Sequence, residues 1–175
     1  LSLHVDYWDY IGWTDSFADP RFTERQKSYA RAIGSRTIYT PQFIIGGQDR
    51  IEGYAPEETA IRLAKHLAKG SPVTLTVTRE GDMLVIHADA DPPLTKAVRV
   101  QLVRYLPEQT VEIQRGENAG KTITYRNVVT SWEHIGDWSG QGTYELAAPA
   151  PGDEPAVVII QNEGPAAILA AAQAD

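Results

Sequence analysis

The 175 residues suffice for one large domain or two small ones, and 42% hydrophobic with 22% charged residues is ordinary for a globular protein. A net charge of −7 with a pI near 5.1 leaves no basic stripe to displace counterions from phosphates, which excludes nucleic acid as a partner class. The sequence contains no cysteine, so disulfides, thiolate metal sites and cysteine nucleophiles are absent from these residues, and no apolar run reaches the length of a transmembrane segment.

Residues Leu1–Asp6 alternate as a strand, with Leu1, Leu3 and Val5 on one face. Neither an initiator Met nor a signal peptide precedes them, so the chain is expected to begin inside a longer protein. Asp6 to Trp13 then interleaves aromatics with carboxylates. Two readings stand for it. Trp8, Tyr10 and Trp13 line a ligand groove with Asp6 and Asp9 at its edge, or the rings pack beneath the loop that carries strand into helix. Asp19-Pro20 is an N-cap followed by a first-position proline, and predicts a helix to about Ile33. Phe22, Tyr29, Ala30 and Ile33 form its apolar face, and Gly34 stops it. The basic residues Arg21, Arg25, Lys27 and Arg31 are diluted along this helix. The loop Ser35–Thr40 leads to Pro41, a short buried strand Phe43–Ile45, a Gly46-Gly47 turn and a returning strand near Arg50–Glu52. A second helix, Pro56 to Lys69, has Glu57 and Glu58 in its first turn and is expected to bury Ala60, Ile61, Ala64 and Leu67.

At Ser71-Pro72 the pattern changes, dividing a first domain, 1–70, from a second, 71–175. Val73–Thr78 alternates strictly, Glu80-Gly81-Asp82 turns it into Met83–Ala88, and Ala97–Leu106 is a long strand. Val111–Gln114, Thr122–Val129, Gly142–Leu146 and the apolar run Val157–Ile160 follow. Short strands at close spacing with turn chemistry between them predict an antiparallel β-sandwich-like domain. Ala147–Pro155 reads as an exposed loop, and no helix pattern returns before the alanine-rich end, Ala166 to Ala174.

Few residues carry catalytic or metal chemistry. His4 reads as a satisfied core histidine and His66 as surface-facing, while His87 and His134 lack partners at metal spacing. There is no Gly-x-Ser-x-Gly elbow, and Gly116–Gly120 lacks the Lys-Ser/Thr ending of a phosphate loop. Arg115, Glu117 and Asn118 shape a loop between strands or contact the first domain.

The order Thr-Pro, strand, glycine turn, strand, helix over Tyr39–Gly53 and beyond resembles the second half of a thioredoxin fold, in which the proline is cis and faces the redox centre. Leu3-His-Val-Asp-Tyr-Trp-Asp-Tyr-Ile-Gly-Trp13, Phe22-Thr-Glu-Arg-Gln26, Tyr39-Thr-Pro-Gln42, Arg115-Gly-Glu-Asn-Ala-Gly120 and Thr124-Tyr-Arg-Asn-Val-Val129 extend the likeness across most of the chain. On these segments the protein resembles an uncharacterised family of secreted bacterial proteins, a domain-of-unknown-function family with a thioredoxin-like core and a β-rich C-terminal domain.

The resemblance implies an α/β thioredoxin-like domain over 1–70, with its N-terminal part missing, followed by the β-sandwich-like domain. It also implies a Cys-x-x-Cys upstream of Leu1, a secreted or periplasmic location, a protein or peptide thiol or disulfide as substrate, and no cofactor. Thr40 and Pro41 would flank the redox site, with the Thr40 backbone free to pair with an extended substrate segment. A redox-inactive binding protein using the aromatic loop Tyr7–Trp13 is the alternative. Nothing in the sequence fixes an oligomeric state.

Overall fold

The computed structural model describes residues 1–116 and 118–175, so the reading of Glu117 as a loop residue lies outside the described residues. Among them are two α-helices and three antiparallel sheets. Helix α1 spans Pro20–Ala32 and α2 spans Pro56–Lys69, with a two-stranded hairpin of β1 (Gln42–Ile45) and β2 (Asp49–Glu52) between them. The remainder is strand: β3 (Val73–Glu80), β4 (Met83–Ala90), β5 (Val98–Glu112), β6 (Thr122–Trp138), β7 (Tyr144–Pro149), β8 (Ala156–Asn162) and β9 (Ile168–Gln173). One sheet has the order β3-β4-β7 and the other β6-β5-β8-β9.

The alternation read in the sequence explains how the two larger sheets share a core. In β4, Leu84, Ile86 and Ala88 point inward, and they meet Val98, Val100 and Leu102 of β5 and Val158 and Ile160 of β8, with Trp138 closing one end. The opposite faces of β5 and β8 are covered as well. Val103 and Ile159 join Val129 of β6 beneath Phe22 of α1 in a second apolar cluster. Strands buried on both faces read as continuous apolar runs, which is why Val157–Ile160 shows no alternation.

The expected thioredoxin-like α/β domain over 1–70 does not form. That architecture needs a central sheet with helices on its faces, whereas these residues supply a two-stranded antiparallel hairpin, and the chain as a whole is mostly antiparallel sheet. Leu1–Asp6 is not a strand of such a sheet: it makes one parallel bridge, Ser2 to Val128 of β6. The first helix, instead of flanking a sheet of its own domain, lies on the outer face of β6-β5-β8.

Smaller differences have the same origin, namely which surface is available to cover. Helix α2 buries none of its residues, and Ile61 and Leu67 are 70% and 76% exposed, because only the narrow hairpin lies beside it. Polar contacts hold it instead: Asp49 accepts from Arg62 at 2.9 Å and lies 2.8 Å from His66 Nε2. The His66 ring is therefore turned inward, not to the surface, and its hydrogen bond, with Arg62 assisting, keeps Asp49 below the ordinary carboxylate pKa despite an opposing burial effect. Phe43, expected in a buried strand, is 40% exposed. Ile33 is exposed because α1 ends before it. Val111–Gln114 is no separate strand, since β5 continues to Glu112. Within the expected loop Ala147–Pro155, β7 reaches Pro149 and both Ala148 and Ala150 are buried. The alanine-rich end is strand β9, paired with β8: covering the core edge with Leu169, Ala170 and Ala172 outweighs the helix preference of alanine.

Candidate functional site: an apolar groove between two open strand edges

Among the described residues, backbone groups on either side of the groove are left without backbone partners. Ser2 uses its N–H and C=O on β6, donating to Asn127 O at 2.7 Å and accepting from Val129 N at 2.9 Å. In an extended segment the neighbouring residues direct their groups the other way. Leu3 and Val5 accordingly make no backbone–backbone hydrogen bond among the described residues. On the hairpin, Gly53 N donates to Pro41 O at 2.8 Å, which makes 41 and 53 a bonded pair, and alternation then assigns the ladder bonds to Phe43–Ile51 and Ile45–Asp49. The N–H and C=O of Gln42 and Ile44 point away from β2. Leu1, Leu3 and Val5 on one side and Gln42 and Ile44 on the other line the same groove of about 670 Å³.

The floor comes from α1 and the four-stranded sheet: Phe22, Arg25 and Tyr29 of the helix, Trp132 of β6, Ile159 of β8 and Ile168 of β9. The glycine turn seats the hairpin over this floor, with Ile168 N donating to Gly46 O at 2.9 Å. Two polar features stand out in the apolar lining. Gln42 Nε2 is buried without a hydrogen-bond partner, a loss of about 1–3 kcal/mol for such a group. Arg25 lies with its guanidinium 3.9 Å from the Trp132 ring centroid and 5.4 Å from that of Tyr29. Burial holds the Arg25 guanidinium below its ordinary pKa, with a smaller opposing effect from Tyr29. A chain of amides positions these rings: Trp132 Nε1 donates to Gln101 Oε1 at 2.8 Å, Gln101 Nε2 to Gln161 Oε1 at 3.1 Å, and Gln161 Nε2 to Tyr29 Oη at 2.9 Å.

Of the residues singled out in the sequence, Thr40 and Pro41 line the groove, and the peptide between them is cis. Trp8 reaches its rim, donating from Nε1 to Thr40 Oγ1 at 2.8 Å, and Tyr10, 79% exposed, stacks near Trp8 with ring centroids 6.5 Å apart. Asp6, Asp9 and Trp13 lie outside the groove lining. Asp6 accepts from Thr23 Oγ1 at 2.5 Å, Asp9 accepts from Asp15 N at 3.2 Å, and Trp13 is half-buried. Arg25, Gln42 and Trp132 were not found by sequence reasoning. Arg25 looked like one of several diluted helix cations. The sequence offered little signal for them beyond Gln101 between Val100 and Leu102, and Gln161 directly after the apolar run Val157–Ile160. Among the described residues no three His, Cys, Asp or Glu side chains gather as metal ligands.

The aromatic loop is pinned from below by His4, whose Nδ1 lies 2.5 Å from Asp15 Oδ2 while Phe17 and Tyr125 pack edge-on against the ring. Burial raises the Asp15 pKa, but the His4 hydrogen bond, the Phe17 amide and the His4 charge together bring it below the ordinary value. A depressed carboxylate stabilises the fold above its unfolded pKa, about 3.9, and that contribution is lost as pH falls through the lower folded value. Amides of Tyr7–Ala18 are therefore expected to exchange faster at about pH 3 than at about pH 5, after correction for intrinsic rates. Asp15→Asn should flatten the difference. Equal protection at both pH values would show that the pair does not hold the loop.

Two of three comparisons place the chain among known proteins. A search of curated proteins returned no match. The crystal structure of a protein from Agrobacterium tumefaciens is similar to this one over 99% of this chain and 78% of that one, with 32% sequence identity and a TM-score of 0.83. The family described as "Protein of unknown function (DUF1223)" matches residues 1–161. The chain, with its hairpin, its helix-covered sheet and the groove between them, belongs to the DUF1223 family.

Proposed function

We propose that the protein is a binding module that takes an extended, mainly apolar polypeptide segment into the groove as an added strand. The observation that carries this reading is the pair of open backbone edges, Leu3–Val5 and Gln42–Ile44, bordering one apolar groove. Unpaired edge groups are a template for strand addition, where main-chain hydrogen bonds supply affinity and the lining supplies side-chain preference. The exposed rings of Trp8 and Tyr10 beside Thr40 extend the apolar surface at one end. Thiol–disulfide exchange needs a thiolate, and these 175 residues contain none, so the reading rests on binding alone.

A capped peptide of alternating valine and threonine is the probe. Its addition is expected to slow hydrogen exchange at the amides of Leu3, Val5, Gln42 and Ile44 and to change tryptophan fluorescence. Ile44→Pro removes one donor that faces the groove and leaves the β1–β2 ladder intact, a substitution edge strands tolerate. It should weaken the peptide by roughly three- to tenfold, as for one hydrogen bond of about 0.5–1.5 kcal/mol. Absence of binding, or binding that leaves those four amides unprotected, would overturn the proposal.

A further inference from the structure

We infer that the segment taken by the groove carries an acidic side chain, Asp or Glu, that pairs with Arg25; this deepens the strand-addition reading and rests on it. The charge distribution points to that chemistry. Most of the other arginines are provided for: Arg21, Arg31, Arg50, Arg62, Arg99 and Arg126 each lie against a carboxylate, and Arg79 and Arg104 each donate to backbone carbonyls. Arg25 differs. Among the described residues this half-buried guanidinium makes hydrogen bonds from Nη2 alone, both at 3.4 Å, to Tyr29 Oη and Gln161 Oε1, and no carboxylate among them pairs with it.

A cation enclosed by rings and neutral amides loses hydration without a counter-charge to offset the loss. Cation–π contact with Trp132 compensates in part. A guanidinium whose remaining N–H groups have no protein acceptor is shaped for a carboxylate, which it holds through two parallel hydrogen bonds. Arg25 is also well placed to receive one from a bound strand. Its side chain lines both the groove and a smaller depression of about 280 Å³ between α1 and the sheet. A strand lying between the two open edges sends alternate side chains toward the floor that Arg25 shares with Phe22 and Tyr29. One of those floor-facing positions is apolar in most of its surroundings and cationic at Arg25. The segment that fits is therefore apolar with a single inward acid.

The test uses capped valine–threonine peptides in which glutamate is placed at each position in turn, each compared with its glutamine counterpart. Capping removes the terminal carboxylate, so only a side-chain acid is read. With the unaltered protein, at least one glutamate peptide is expected to bind about tenfold or more tightly than its glutamine twin, with Leu3, Val5, Gln42 and Ile44 amides protected in both. In Arg25→Met, which keeps the length and loses the charge, the difference between each glutamate peptide and its glutamine twin should close, whatever the affinity of the pair. Equal affinity of every glutamate–glutamine pair for the unaltered protein, with the four amides protected, would overturn the role of Arg25 and leave strand addition standing. Failure of all peptides to bind would overturn strand addition itself. The comparison on the unaltered protein decides the matter even if Arg25→Met does not fold.

Discussion

Ile160→Ala is expected to destabilise the protein by about 2–5 kcal/mol and to lower the midpoint of thermal unfolding by roughly 5–15 °C. Ile160 lies in β8 between Val100 of β5 and Ala170 of β9, and its side chain is 0% exposed in the core shared by the two larger sheets. Truncation there removes buried methylene and methyl groups from a site walled by Leu84, Ile86 and Val158. Strands on both sheets cannot collapse into the gap without breaking their ladders, so the cavity persists and its cost adds to the lost transfer energy. Ile61→Ala is the natural comparison. The same chemistry on α2, where the side chain is 70% exposed, should change stability by no more than about 0.5 kcal/mol. Denaturant melts of the two variants check the pair of expectations, and similar losses in both would mean that the core does not lie between the sheets.

Gly47→Ala is expected to be the most damaging single change at the groove. Gly47 has φ +70°, and a Cβ built there would lie 2.2 Å from the Ala166 carbonyl oxygen and 3.0 Å from Ile168 N. Left-handed backbone costs alanine about 1–2 kcal/mol. Crowding against a backbone carbonyl, which cannot swing aside like a long side chain, adds about 1–3 kcal/mol. Together these exceed the roughly 0.4–1 kcal/mol that the substitution gains by restricting the unfolded chain. The least costly relief is for the β1–β2 hairpin to lift from the β8–β9 connection, breaking the Ile168 N to Gly46 O hydrogen bond and opening the groove. Faster exchange of the Ile168 amide, with protection of β4 and β5 retained, is the expected signature. Gly34→Ala separates the two contributions, because Gly34 has φ +73° but nothing within 4 Å of its Cβ position, so only the backbone strain applies. Equal behaviour of the two variants would show that the hairpin does not bear on the β8–β9 connection.

The local signals in the sequence were reliable where the chain needed only its neighbours. Asp19 caps α1 as read, accepting from Arg21 N at 2.7 Å, and Pro20 opens the helix. Pro56 to Lys69 is the second helix to the residue. The Glu80-Gly81-Asp82 turn joins β3 to β4, which pair antiparallel. Caps, turns and strict alternation are set by a few adjacent residues, and tertiary packing has little reason to overrule them.

Tertiary structure decided what each element covers. The apolar face of α2 looked like a core face, yet Ile61 and Leu67 remain in solvent because amphipathicity states what a helix could bury, not whether a surface is there to meet it. The alanine-rich end looked helical, yet it is strand β9, since pairing with β8 satisfies its backbone and covers the core edge at once. The same holds for the groove. Thr40 and Pro41 could be singled out from the chain alone, but Arg25 and Trp132 are 107 positions apart in sequence (132 − 25) and meet only because α1 lies across the four-stranded sheet. Composition, turns and the identity of most elements were thus determined locally by the sequence. The absence of a thioredoxin-like core, the pairing of the sheets and the convergence of two open edges on one half-buried cation were decided by long-range contacts, because burial and desolvation depend on which distant surfaces come together.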